Sequence, residues 1–87
     1  MVNNTRRKVL AKLAEQIREL SGKIVDIKGE IETLRDEEQE YMDNMPESLQ
    51  QSERYQAAEA AVSAMDEAIE GLPELDEYAD QLDTAAE

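Results

Sequence analysis

The chain lacks several residue types on which protein chemistry depends. Its 87 residues include no cysteine, histidine, tryptophan or phenylalanine, and three tyrosines are its only aromatic residues. Without cysteine there is no disulfide framework and no thiolate for catalysis or zinc binding. Without histidine the commonest general base is missing, and no di-iron carboxylate motif can be completed. We therefore expect a protein that is not an enzyme and that uses no cofactor and no metal.

Long apolar runs and glycine-rich loops are missing as well. No stretch approaches the roughly 18 consecutive apolar residues of a membrane span, so no membrane partner is expected. No continuous apolar run follows the charged residues 1–8, as it would in a secretory signal. The three glycines are isolated, which excludes a phosphate-binding glycine loop. These absences predict a cytoplasmic protein.

Positive charge is scarce, and it is concentrated in the first part of the chain. Residues 1–35 hold eight basic and five acidic side chains, whereas residues 36–87 hold one basic and seventeen acidic ones. A polyanion repels nucleic acid, so we expect no direct nucleic-acid binding. An acidic surface attracts a protein with a basic surface, which predicts such a partner. The alternative is that the acids only solvate helix faces.

Large aliphatic residues recur at alternating spacings of three and four between Leu10 and Leu34. That heptad pattern places them on one face of a long helix, which must pack against another helix. A second, leaner heptad pattern extends from Tyr55 to Leu72. The residues predicted to form a core or oligomer seam are Leu13, Ile17, Leu20, Ile24, Ile27, Ile31, Leu34, Val62, Met65 and Ile69.

Proline and turn-forming residues divide the chain into three helices. Pro46 interrupts the helical pattern, so we predict helix 1 over 5–43 and a turn over 44–48. Helix 2 is predicted over 49–70, with Ser48 or Ser52 as its cap. Gly71-Leu72-Pro73 separates it from a short third helix over 73–85.

A short turn makes the two long helices antiparallel neighbours. Folding about Glu47 sets Ile31 beside Val62 and Ile27 beside Met65, with Asp80 and Asp83 beside Lys12. We therefore predict a single all-α domain over 1–87, a coiled-coil-like antiparallel helical hairpin with a short C-terminal helix. One hairpin covers its seams incompletely, so we also predict a homodimer that forms a four-helix bundle.

The turn carries a resemblance to known proteins. The sequence resembles a group of small uncharacterised helical-hairpin proteins from bacteria, prophages and mobile elements that share a Y-x-D-N-M-P-E-x-L-Q turn. The resemblance implies a bacterial or phage setting and no particular activity. It is carried by Tyr41-Met42-Asp43-Asn44-Met45-Pro46-Glu47-Ser48-Leu49-Gln50 and covers roughly residues 36–72.

The acids ahead of the turn are the candidate partner-binding site. Asp36, Glu37, Glu40 and Asp43 lie within two helical turns, far from most of the basic residues. In a phage setting such carboxylates can mimic the phosphates of a nucleic acid. We therefore expect an acidic interaction module that inhibits or modulates a bacterial nucleic-acid-handling or defence protein. The alternative is a structural coiled coil that acts by homo-oligomerisation.

Overall fold

The computed structural model describes residues 3–87, which form helices and contain no strand. Helix α1 runs over Asn4–Asp43, α2 over Glu53–Gly71 and α3 over Asp76–Ala85. One short 3-10 turn, Glu47–Leu49, lies between α1 and α2. The all-α prediction is therefore confirmed.

The contacts of the described chain divide it into two compact units. That the chain forms a single domain over 1–87 stays a prediction. The first unit combines the described residues up to Asp26 with Pro73–Glu87, so it holds the start of α1 and α3. The second unit is Ile27–Leu72, which holds the rest of α1 and α2. In each unit a section of α1 meets an antiparallel returning helix. In the first unit Arg18 pairs with Asp80 whereas Ser21 contacts Leu75, and in the second unit residues 28 and 35 contact 72 and 66 in the same descending order.

In the second unit the turn is longer than predicted. A 3-10 turn follows Pro46, and α2 begins at Glu53 rather than at position 49. Ser52 caps α2, because its Oγ accepts a hydrogen bond from the Tyr55 backbone N–H at 3.3 Å. Helix α2 is therefore capped by Ser52 and not by Ser48, the other candidate.

The longer turn changes the register of the two helices. Lys28 Nζ donates a hydrogen bond to the Leu72 carbonyl at 3.1 Å. The predicted register places Met65 beside Ile27, the residue before Lys28, and Leu72 lies seven residues beyond Met65. Arg35 Nη1 pairs with Asp66 Oδ1 at 2.6 Å, in agreement with that displacement. The helices are antiparallel, as predicted, but they are displaced by about one heptad. Residues 49–52, which belong to the turn, account for part of that displacement.

In the first unit, α1 packs closely on α3. Ala14 and Ala79 are fully buried, and alanine lets two helix backbones approach each other. Arg18 forms ion pairs with both Asp80 and Asp83. The sequence had predicted Lys12 as the neighbour of these two acids. Helix α3 begins at Asp76 rather than at position 73.

Buried side chains in the described residues are mostly small. In the second unit Met42, Ala58 and Val62 form a cluster, with Tyr55 packed against it. In the first unit the buried residues are Ala14, Ser21, Ala79 and Ala86. No large side chain is fully buried in the part of the chain that the structure describes, so much aliphatic surface of α1 stays in contact with solvent.

Candidate helix-association surface

A row of exposed apolar side chains lies on α1, and we call it the α1 column. The column has five side chains, of which Leu13 is the least exposed, at 43%, and Leu34 the most exposed, at 56%. They follow one another at intervals of seven residues, so the helix periodicity places them on one face. The first unit holds the first two members and the second unit holds the other three. The α1 column consists of Leu13, Leu20, Ile27, Leu34 and Tyr41.

The α1 column is exposed because the interior of each unit uses a neighbouring row of α1. Ser21 is buried, and its Oγ accepts a hydrogen bond from the Leu75 backbone N–H at 3.3 Å. Lys28 and Arg35 are half-buried and bind Leu72 and Asp66 on the returning chain. These polar groups meet their partners only when their own row faces α2 or α3. The interior therefore turns toward that row and away from the α1 column.

The predicted seam is thus divided between the inside and the outside. Its members Ile17, Ile24 and Ile31 are half-buried, as are Met65 and Ile69 on α2, and Val62 is buried. Its other four members lie in the α1 column. The aliphatic heptad pattern did not predict the inner row, whose signal is a heptad repeat of small or polar residues beside the aliphatic ones. That inner row consists of Ala14, Ser21, Lys28, Arg35 and Met42.

Ion pairs hold the two guanidinium groups that contact the returning helices. Hydrogen bonds that Arg18 donates to Asp83 and then to Asp80 raise its pKa above its ordinary value. Hydrogen bonds to Asp66 and then Asp36 raise the pKa of Arg35 in the same way. The two charged groups connect α1 to the returning helices, Arg18 to α3 and Arg35 to α2.

The acidic cluster ahead of the turn lies on the exposed surface of the second unit, and two of its four carboxylates have partners. Asp36 Oδ1 accepts a hydrogen bond from Arg35 Nε at 2.8 Å, and Asp43 Oδ1 accepts one from Gln39 Nε2 at 3.0 Å. Glu37 and Glu40 are exposed and make no side-chain hydrogen bond or ion pair within residues 3–87. The cluster therefore presents less unpaired charge than the sequence suggested.

An open pocket of about 670 Å³ lies at the turn of the second unit. Tyr41, Met45, Pro46 and Leu49 give it largely apolar walls, and Arg54 adds a cation. Tyr41 also belongs to the α1 column, so the apolar surface of this helix continues into the pocket. The pocket offers room for an apolar side chain of a partner.

No group of three or more acidic, histidine or cysteine side chains within residues 3–87 is placed to hold a metal ion. None of the helices in the described chain combines the length and the apolar character that crossing a membrane requires.

Comparison with protein-family models, with curated proteins and with solved structures gave no match to this chain. The functional proposal therefore depends on the physical character of the surface itself.

Proposed function

We propose that this protein is a non-enzymatic association module, and that its α1 column binds the α1 column of a second copy. The observation that carries the proposal is the strict heptad spacing of five apolar side chains that remain about half exposed. Such a row is the seam that two helices bury when they form a coiled coil. Two hairpins joined along α1 would form a four-helix bundle.

Light scattering tests the proposal on the unmodified protein. At tens of micromolar we expect a molar mass of twice 9.8 kDa. Raising the salt concentration to about 1 M should leave that mass unchanged, because buried apolar contacts are not screened as exposed charges are. A mass of 9.8 kDa at every concentration would refute self-association.

A second proposal concerns the acidic surface. Glu37 and Glu40 are exposed carboxylates of the cluster without a partner in the described residues, and they lie beside Asp36 and Asp43. We propose that this face binds a basic site by mimicking phosphate groups, and that it inhibits or modulates a bacterial nucleic-acid-handling or defence protein. The phage or mobile-element setting comes from the resemblance of the turn alone.

Neutralising the cluster tests the second proposal. We expect Asp36→Asn, Glu37→Gln, Glu40→Gln and Asp43→Asn together to weaken capture of a basic partner from bacterial lysate by at least about tenfold, because charge complementarity is lost. Capture by the unmodified protein should also fall at high salt. The control is a variant with Gln at four exposed acids outside the cluster, which changes the net charge equally. Those acids are Glu59, Glu67, Glu70 and Glu74. Equal capture by the two variants would assign the cluster to solvation only.

A further inference from the structure

We infer that two α1 columns pair antiparallel and that the pairing is centred on Ile27. This inference rests on the self-association proposed above and adds the direction and register of the pairing. It is carried by charges that border the α1 column and that differ between its two halves.

Four polar residues border the α1 column on the side away from the interior, each three positions after a column residue. They are Gln16, Lys23, Glu30 and Glu37, and all four are exposed. None of their side chains forms a hydrogen bond or ion pair within residues 3–87. The border is therefore basic or neutral beside the first half of the column and acidic beside the second half.

Antiparallel pairing about Ile27 matches these charges. It places Leu20 of one copy against Leu34 of the other, so the apolar residues meet along the whole α1 column. Residues with the same position in the heptad face each other along the border of an antiparallel pair. Lys23 of each copy then lies beside Glu30 of the other, and two opposite-charge pairs form by symmetry.

A second row of exposed residues supports the same direction. Lys12 and Glu40 each lie immediately before a column residue, at opposite ends of the α1 column. Antiparallel pairing brings Lys12 of each copy to the level of Glu40 of the other. It also places the two copies of Asp26 near each other at the centre, which is the one like-charge contact of this arrangement.

Parallel pairing makes none of these contacts. The borders of the two copies then lie on opposite sides of the seam, so Lys23 of one copy does not meet Glu30 of the other. A parallel pair therefore lacks the two opposite-charge pairs. The apolar column alone does not choose between the two directions, whereas its charged border favours the antiparallel one.

A charge exchange tests the direction by the dissociation constant of the dimer. We expect Lys23→Glu and Glu30→Lys, made separately, each to weaken the dimer about tenfold because two attractive pairs become repulsive. The double variant should recover affinity to within about threefold of the unmodified protein, since both pairs are restored with exchanged signs. In a parallel dimer the two borders do not meet, so single variants that leave the affinity unchanged, or a double variant that recovers no affinity, would overturn the antiparallel arrangement.

Disulfide trapping provides a second test, because the chain contains no cysteine of its own. We expect a mixture of Gln16→Cys and Glu37→Cys chains to form a mixed disulfide dimer on mild oxidation. Gln16→Cys alone should form none, since its two copies would lie about 30 Å apart along the helices at about 1.5 Å per residue.

The outcomes distinguish the inference from the proposal on which it rests. Trapping of Gln16→Cys with itself, in a protein that light scattering shows to be a dimer, would overturn the antiparallel direction and leave self-association intact. A monomeric mass for the unmodified protein would overturn both.

Discussion

Replacing Ala58 with aspartate is expected to unfold the second unit, whereas the same change at Ala60 should leave it folded. Ala58 is 3% exposed and lies in the cluster with Met42 and Val62. Aspartate there would bury a carboxylate without a partner and force α2 away from α1. Burying an unpaired charge costs about 3 kcal/mol or more, a large part of the stability of a small protein.

Urea unfolding followed by far-ultraviolet circular dichroism measures this effect. Ala60 is exposed on the same helix, so its aspartate variant carries the same charge and the same change in helix propensity. The midpoint of unfolding should fall steeply for the Ala58 variant and remain near the unmodified value for the Ala60 variant. Equal midpoints would show that α2 does not pack on α1 through Ala58.

Replacing Leu20 and Leu34 together with glutamine is expected to dissociate the proposed dimer without unfolding the chain. These side chains are 53% and 56% exposed, so the two units lose little internal packing when they become polar. In the dimer the same positions face each other across the seam. Each apolar side chain that is fully buried in the seam contributes about 1.5–3 kcal/mol to the free energy of association. We therefore expect at least a hundredfold weaker association.

Light scattering measures the molar mass of this variant, and circular dichroism measures its helix content. The mass should fall to 9.8 kDa while the helix content stays unchanged. Leu49→Gln is the matched control, because Leu49 is 50% exposed and lies in the turn, outside the α1 column. A double variant that remains dimeric would remove the α1 column from the interface. A variant that loses its helices would show that these leucines support the interior instead.

The sequence predicted the helices more completely than their contacts. Heptad spacing depends on neighbours within one helix, so α1 and its end at Asp43 followed from local pattern. The register depended on which of two serines caps α2, a competition between Ser48 and Ser52 that the sequence left open. The choice of Ser52 lengthened the turn by four residues and so contributed to the displacement of α2.

The rotation of α1 could not be predicted from hydrophobicity alone. The aliphatic pattern favoured a seam that includes Leu20 and Leu34, but the inner row contains Ser21, Lys28 and Arg35. Their hydrogen-bond partners are Leu75, Leu72 and Asp66, which lie near α1 only after α2 and α3 have folded back against it. Likewise, the pairing of Asp36 with Arg35 depends on a side-chain conformation rather than on helical spacing.

The end of α2 depends on a residue from the opposite half of the sequence. Helix α2 has no basic residue in its last turn, although a cation is favourable where helix carbonyls lack partners. Lys28 supplies that charge at the Leu72 carbonyl across 44 residues of sequence. A peptide that contained α2 alone would lack this ammonium group and would fray at its C-terminal turn. The boundary of this helix is therefore a tertiary property that the local sequence does not contain.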